Sequence, residues 1–265
     1  MITRDEIFII GDVHGEYNKL IKLIDNLPTS DPTKIFFVGD LIDRGPDSAK
    51  VINLIRENKY SAIMGNHESL MIESNGSIYN GSMYGEIYNN WGGHGNGGVM
   101  TYESYYNDYK DHANEMIMSD IKYLKSLPKY RIIEVKGFNR KVLITHGSFL
   151  DHFEKFMDSK KRHLDNISLK DTSPRTIEDM SNYYSLENLM QVGRVLPKKE
   201  NSKYFNVFGH TIVNPFTFKD YNEHQNNGVY INTEIGFAAV DTGAFIDSNS
   251  KLSAISFPSL KVYTN

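Results

Sequence analysis

The amino-acid sequence predicts an α/β fold built around a parallel β-sheet. In roughly the first quarter of the chain, short and continuously apolar segments alternate with segments whose apolar residues recur at helical spacing. Each apolar segment ends at a glycine, as buried parallel strands commonly do. This β-α-β-α-β order requires right-handed crossover connections, so helices are expected on the faces of the sheet.

Three strands and two helices account for this N-terminal pattern. The second helix carries Val51, Ile52, Leu54 and Ile55, and the first helix ends before Pro28. The predicted strands are 7–10, 35–38 and 61–64, and the predicted helices are 17–27 and 48–55.

The rest of the chain departs from this alternation. Residues 75–111 are rich in Asn, Gly, Tyr and Ser and contain the single tryptophan, Trp91, which indicates an inserted loop or small cap. The segment 151–174 is polar and is interpreted as irregular surface. No linker divides the chain, so residues 1–265 are expected to form one domain. Further elements are predicted as a helix at 111–127, a hairpin of strands 131–135 and 141–145, and strands at 204–208, 229–232, 237–241 and 252–257.

The composition limits the class of protein. The chain has 265 residues, of which 40% are hydrophobic and 23% charged, enough for a buried core. It has no cysteine, which excludes a disulfide framework, a thiolate metal site and a cysteine-nucleophile phosphatase mechanism. The net charge of −4 argues against a nucleic-acid partner. Neither a signal-peptide core nor a membrane-length apolar run is present, so a cytoplasmic protein without membrane contact is expected.

Five predicted strand ends are each followed by side chains that bind metals. Such side chains gather at the carboxyl ends of strands in open α/β sheets. Two carboxylates, three imidazoles and one amide suit Mn, Fe or Zn better than Mg or Ca. Six ligands are too many for one catalytic metal and fit two metals that share a carboxylate, for which Asp40 is the natural bridge. The predicted ligands are Asp12, His14, Asp40, Asn66, His146 and His210.

Three neighbouring residues fit supporting roles in phosphoryl chemistry. His67 follows a ligand directly and can act as a general acid, Asp43 can orient it, and Arg44 can bind phosphate oxygens with two hydrogen bonds. Taken singly, each motif has a plainer explanation, such as a turn residue or a surface ion pair. Their joint occurrence at successive strand ends is what favours a metal site.

The same residues spell a known pattern. GDVHG at 11–15, GDLIDRG at 39–45 and GNHE at 65–68 resemble the signature blocks of the calcineurin-like metallophosphoesterases. More narrowly, they resemble the serine/threonine phosphoprotein phosphatase branch, which includes bacterial and phage enzymes such as the lambda phage phosphatase, and the symmetrical diadenosine tetraphosphatases. His146-Gly147, Gly209-His210-Thr211 and the DTGA sequence at 241–244 match later family blocks in the same order.

The resemblance implies a four-layer sandwich, in which helices flank central β-sheets, and a site for two divalent metals, with Mn²⁺ favoured and Fe or Zn possible. It places Asp12, His14 and His210 on one metal and Asn66 and His146 on the other, with Asp40 between them. His67 takes the position of the general acid and Asp43 that of its partner. Phosphate-binding positions fall on Arg44, Asn66 and Arg194.

The resemblance leaves the substrate open. We expect hydrolysis of phosphoserine or phosphothreonine on proteins, and of small phosphate esters, by a hydroxide that bridges the metals. The first alternative is a hydrolase of dinucleoside polyphosphates, and the second is an inactive phosphate-binding module. Met64 stands where many relatives have arginine before GNHE, and His146-Gly147-Ser148 replaces a common His-Ala-Gly. These departures concern the substrate and leave the reaction class unchanged.

Overall fold

The computed structural model describes residues 3–80, 87–93, 95–169 and 185–265. The strands within these ranges are β1 (Thr3–Arg4), β2 (Ile7–Ile10), β3 (Ile35–Phe37), β4 (Ser61–Ala62), β5 (Tyr79–Asn80), β6 (Ile87–Tyr88), β7 (Tyr130–Val135), β8 (Lys141–Thr145), β9 (Tyr204–Phe208), β10 (Gln225–Asn226), β11 (Val229–Asn232), β12 (Phe237–Ala239), β13 (Ser253–Phe257) and β14 (Val262–Thr264). The helices are α1 (Tyr17–Asn26), α2 (Ser48–Glu57), α3 (Asn66–Glu73), α4 (Gly98–Tyr109), α5 (Ala113–Lys125), α6 (Leu150–Leu169), α7 (described over 185–192) and α8 (Tyr221–His224), with 3₁₀ turns at Pro32–Lys34 and Lys110–His112.

Two β-sheets hold most of the strands. The first has the order β14-β13-β2-β3-β4, and its β2, β3 and β4 are parallel, as the N-terminal pattern predicts. The second has the order β1-β7-β8-β9-β12-β11-β10, and its β8, β9 and β12 are parallel. The predicted hairpin is confirmed as the antiparallel pair of β7 and β8.

The two sheets pack face to face because their strands are apolar on both sides. In β2, Ile7 and Ile9 belong to the core between the sheets, whereas Phe8 and Ile10 belong to the core beneath the helices. Successive side chains of a strand point to opposite faces, so a strand covered on both sides has no polar position. Val142 on β8 completes the inner layer from the second sheet.

Helices cover both outer faces and complete a four-layer α/β arrangement. Apolar side chains of α1, α2, α4 and α5 share one core with the outer face of the first sheet. On the other side, Phe153 and Phe156 of α6 and Met190 of α7 pack with Leu143 of β8. No helix among the described residues combines the length and the apolar character that crossing a bilayer requires.

Two sequence interpretations are corrected by the structure. The segment predicted as irregular from 151 begins as the long helix α6, because Leu150, Phe153 and Phe156 form a narrow buried stripe among charged residues that favour helix. Within 75–111, residues 98–109 form α4 rather than a loop, and its Thr101 and Tyr105 are buried. The insertion therefore includes a packed helix as well as loops.

Candidate metal centre

The predicted ligands follow the carboxyl ends of parallel strands in both sheets. Several residues of the loops that carry these ligands have left-handed backbone conformations, which residues with a side chain adopt rarely and at an energetic cost. Such conformations turn the chain sharply where each strand ends, so that side chains from separate strands point inward together. They occur at His14 (φ 46°), Asp40 (φ 48°), Asp43 (φ 72°), Arg44 (φ 71°) and His210 (φ 63°).

Two glycines let the strand-end loops approach each other closely. Gly39 has φ 97°, and a Cβ there would contact the backbone of Gly65. A Cβ on Gly209 would overlap Oδ1 of Asp12. Only glycine therefore permits the loop after β9 to lie against the aspartate that follows β2.

Asp40 lies at the centre of the histidines. Its Oδ1 is 3.1 Å from Nε2 of His146, and its Oδ2 is 3.7 Å from Nε2 of His14 and 3.8 Å from Nε2 of His67. Burial works to raise the pKa of Asp40, but the charges of His146 and His67 outweigh it and hold the pKa well below its usual value. The two oxygens of one ionised carboxylate thus face different histidines.

Two groups of side chains can each hold a metal ion, and Asp40 belongs to both. The first is His14, Asp40 and His67, and the second is Asp40, His146 and His210, with ligand atoms within 4.8 Å of one another in each group. The Asp40 carboxylate could therefore contribute a ligand atom to a cation in either group. Each of these side chains is buried or half-buried.

His210 lies beside a different set of ligands from the one that the family resemblance implies. Its Nδ1 is 2.7 Å from Oδ1 of Asn66, and that oxygen is 3.0 Å from Nε2 of His146. Only the backbone N–H of His210 reaches Asp12, donating to Oδ2 at 2.9 Å. The imidazole therefore groups with Asn66 and His146 rather than with Asp12.

Unpaired buried atoms at the site fit a metal. Oδ1 of Asp12 and Nε2 of His210 are buried and have no hydrogen-bond partner. Burial lowers the pKa of His14 and of His210 to about 3, so both imidazoles are neutral and keep a lone pair for a metal. Buried polar atoms without partners are rare in proteins, and a cation bound to each of these two atoms would satisfy it.

His67 is held beside the metal centre by Asp43. Nδ1 of His67 lies 2.7 Å from Oδ2 of Asp43, whose carboxylate also accepts hydrogen bonds from Nε1 of Trp91 at 3.0 Å and from Oγ1 of Thr101 at 2.7 Å. Burial works to lower the pKa of His67, but Asp40 and Asp43 outweigh it and the pKa is raised. His67 is therefore oriented by one carboxylate and faces a second.

Two arginines line a cavity of about 520 Å³ above this centre. Nη1 of Arg44 is 2.8 Å from Nε2 of His14, and its guanidinium lies 4.5 Å from the ring centroid of Phe245. Arg194 donates to the backbone carbonyl of His210 at 3.4 Å. Two cations at one cavity wall provide a binding site for an anion.

A sequence model of the calcineurin-like phosphoesterases matches residues 6–230, which include all of the strand-end residues described above. The chain belongs to this family. It is therefore a phosphoesterase, a hydrolase of a class that depends on metal ions, and the Asp and His groups described above are able to bind them.

Named relatives of this phosphoesterase include protein phosphatases and tetraphosphatases. Serine/threonine-protein phosphatase 2 of Salmonella typhimurium is 25% identical over 92% of this chain and 89% of its own length. Serine/threonine-protein phosphatase 1 of the same organism is 38% identical, but over only 27% of this chain and 33% of its own length. The symmetrical bis(5'-nucleosyl)-tetraphosphatase of Erwinia tasmaniensis is 38% identical over 23% of each chain.

The fold agrees with that of a solved relative. The crystal structure of a diadenosine tetraphosphatase candidate superposes on this phosphoesterase with a TM-score of 0.56, covering 100% of this chain and 96% of the other at 17% identity. At this identity the likeness concerns the fold alone.

For several other residues of the phosphoesterase site, no role was predicted from the sequence. Glu68, at the third position of α3, accepts hydrogen bonds from the backbone N–H groups of Asp40 (2.9 Å), Leu41 (2.8 Å) and Gly65 (2.8 Å), and so fixes two ligand loops together. Burial raises its pKa to about 7. A capping-box pattern, with glutamate three residues after the N-cap, was a signal that could have identified it.

No sequence signal indicates the roles of Trp91 and Thr101, because their hydrogen bonds to Asp43 join residues about 50 positions apart. Met64 is 8% exposed, and its Sδ accepts a hydrogen bond from Ser69 at 3.4 Å, so the position before GNHE is packed inward.

Proposed function

We propose that this chain is a two-metal phosphatase that removes phosphate from phosphoserine and phosphothreonine in proteins. The observation that carries the two-metal assignment is the position of Asp40 in both metal-binding groups, with one carboxylate oxygen toward His146 and the other toward His14. A bridging carboxylate is characteristic of sites that hold two cations about 3.5–4 Å apart.

The site residues divide into two ligand sets. We assign Asp12, His14 and Asp40 to one metal, and Asp40, Asn66, His146 and His210 to the other. This mixture of imidazole, carboxylate and amide donors favours Mn²⁺, with Fe or Zn as alternatives. When bound, the metals supply positive charge that polarises the phosphoryl group and lowers the pKa of water.

His67 is the proposed general acid. It donates the proton on Nε2 to the oxygen of the leaving alcohol, while Asp43 accepts a hydrogen bond from Nδ1–H and stabilises the charged imidazole. Trp91 and Thr101 keep the Asp43 carboxylate in place. The proton is thus held at the atom that faces the metal centre.

Arg44, Arg194 and Asn66 are the proposed phosphate contacts. Nη1 of Arg44 contacts Nε2 of His14, the nitrogen that is proposed to bind a metal. A metal held by His14 would take the place of this contact, and the Arg44 guanidinium, which already lines the cavity, would then be available to bind phosphate oxygens. Arg194 lines the same cavity and donates to the backbone carbonyl of His210, and it is proposed to bind the same anion.

The named relatives support a protein substrate over the alternatives. An alignment with a serine/threonine-protein phosphatase spans 92% of the chain, whereas matches to two tetraphosphatases each cover 23% of it. A dinucleoside polyphosphate hydrolase is the second candidate. A module that only binds phosphate would not require the buried pair of His67 and Asp43, whose proposed role is proton transfer.

Side-by-side kinetics test this function. Purified enzyme with added Mn²⁺ should hydrolyse a phosphothreonine peptide with a higher kcat/KM than diadenosine tetraphosphate, and should also hydrolyse p-nitrophenyl phosphate. A strong preference for the dinucleotide would refute the protein substrate. No hydrolysis of any of the three would support the binding module.

A further inference from the structure

Residues 190–195, which include the end of α7, lie against the loop after β8, and we call them the connecting segment. The N–H of Gly147 donates to the carbonyl of Met190 at 2.7 Å, and the N–H of Ser148 donates to the carbonyl of Gly193 at 2.9 Å. Two backbone hydrogen bonds thus join the connecting segment to the residues that directly follow a proposed metal ligand.

This contact is too close for a side chain on either backbone. A Cβ on Gly193 would overlap the carbonyl oxygens of Ser148 and Leu189, and a Cβ on Gly147 would overlap the backbone nitrogen of Gly193. Glycine at both positions lets the two backbones meet directly. The connecting segment therefore has a fixed position relative to the loop after β8.

Gln191 reaches from the connecting segment to a second ligand loop. Its side chain is buried, and Nε2 donates to Oγ of Ser69 at 3.0 Å and to the carbonyl of Gly65 at 3.3 Å. A side-chain amide has two N–H groups, so it can make both hydrogen bonds at once. Gly65 directly precedes Asn66, whose Oδ1 lies 3.0 Å from Nε2 of His146.

Arg194 extends the connecting segment to a third ligand loop. Its Nη1 donates to the carbonyl of His210, in the loop after β9, at 3.4 Å. Within the described part of the chain, no hydrogen bond joins the connecting segment to residues 11–15, which carry two ligands of the other proposed metal. The three loops that it does join carry the ligands that share one proposed metal with Asp40: Asn66, His146 and His210.

We propose that Gln191 is a positioning residue for the metal that Asn66, His146 and His210 share. The inference rests on the two-metal assignment made above. The Gln191 amide fixes the backbone before Asn66 to the connecting segment, which is itself fixed to the loop after β8. Without this amide the two loops can separate, and a metal that needs ligands from both is bound less tightly.

Two substitutions remove the N–H donors of residue 191 and keep the length of its side chain. Gln191→Met is apolar, and Gln191→Glu presents only acceptor oxygens when ionised. The control is Asn232→Ala on β11, which removes a buried amide whose Oδ1 accepts a hydrogen bond from the N–H of Ile235 at 2.9 Å. Each metal-free protein is titrated with Mn²⁺ against a competing chelator, and its thermal unfolding is measured without metal.

We expect wild-type protein to bind two Mn²⁺ ions. Both Gln191 variants should bind one of them about 10–100-fold more weakly and the other with a change of less than about twofold. Asn232→Ala should bind both ions as wild type does, even if its unfolding midpoint falls as far as that of a Gln191 variant.

A ligand variant identifies which ion is affected. His14→Ala removes a ligand of the other proposed metal and should leave one tightly bound Mn²⁺. Adding Gln191→Met to His14→Ala should weaken that remaining ion by the same factor as Gln191→Met alone weakens it. A double variant that keeps the remaining ion at full affinity would assign Gln191 to the wrong metal.

Two further results would overturn the role of Gln191. One is unchanged affinity for both ions in the Gln191 variants, and the other is an equal loss for both ions, which indicates general loosening of the protein. Failure of the two-metal assignment has a different signature, because wild-type protein would then bind a single Mn²⁺ per chain.

Discussion

Nδ1 of His67 and Oδ2 of Asp43 lie 2.7 Å apart, and neither side chain is more than 2% exposed. Asp43 comes from the loop after β3, and His67 from the start of α3. The carboxylate is held in turn by Trp91 and Thr101, which belong to the inserted region. The insertion thus supports the pair to which we assign proton transfer.

Replacement of His67 by asparagine should reduce turnover without removing metal. His67→Asn lacks the proton donor, and general acid catalysis contributes about 10²–10⁴-fold. The loss should be greatest for substrates with poor leaving groups, such as a phosphothreonine peptide, and small for p-nitrophenyl phosphate. A plot of log kcat against leaving-group pKa, together with metal analysis of the purified protein, measures both effects.

The control for this prediction is Trp91→Phe, which keeps the apolar ring but removes the N–H that donates to Asp43. It should give a smaller loss with the same leaving-group dependence. His67 also belongs to one of the two metal-binding groups. If His67→Asn lost as much metal as a variant of a ligand residue, His67 would be identified as a metal ligand.

Replacement of Asp40 by asparagine should remove both metal and activity. Asp40→Asn keeps the side-chain volume but lacks the negative charge, and this carboxylate is common to both metal-binding groups. Metal content after dialysis should fall from about two ions to less than one per chain. Hydrolysis of p-nitrophenyl phosphate should fall with it, in contrast to His67→Asn. Retention of two metals would contradict the bridging assignment.

A methyl group on Gly209 should weaken metal binding from outside the ligand set. In Gly209→Ala the new Cβ overlaps Oδ1 of Asp12 and displaces that carboxylate. Changes of this kind near a metal ligand lower affinity about 10–100-fold. Competition with a metal-sensitive chelator measures the change. The matched control is Gly95→Ala, where a Cβ meets nothing within 4 Å and affinity should be unchanged.

Removal of Asp120 should destabilise the helical layer. Asp120 on α5 is fully buried, accepts a hydrogen bond from the Tyr105 hydroxyl on α4 at 2.8 Å and pairs with Arg56 on α2. Asp120→Ala leaves both partners without their acceptor and should lower the free energy of unfolding by about 3 kcal/mol. Urea unfolding followed by circular dichroism measures the change.

The pH dependence of the same site provides a second test. Burial raises the pKa of Asp120 above its ordinary value of 3.8, so the stability that protonation of this carboxyl group adds is fully present below pH 3.8 and is lost as the pH rises through the folded-state pKa. Asp120→Asn, which resembles the protonated form, should therefore be tolerated at pH 7 far better than Asp120→Ala. Equal destabilisation by the two substitutions would contradict this account.

Much of the fold could be predicted from local patterns in the sequence. The bounds of β2, β9 and β11 agree with the sequence prediction, because each is a short apolar run with clear flanking signals. The helix α6 was not predicted from the sequence, because its buried stripe of Leu150, Phe153 and Phe156 is narrow and most of its other positions are polar or charged. In that segment the packing partner, the outer face of β8 and β9, decides the structure.

By itself, the sequence determined which residues could form a metal site, because ligand type and position after a strand are local properties of the chain. Tertiary structure decided how those residues group. It placed the imidazole of His210 beside Asn66 and His146, and it brought Trp91 and Thr101 to Asp43. Such contacts depend on backbone turns and on packing between segments far apart in sequence, and neither leaves a periodic signal in the sequence.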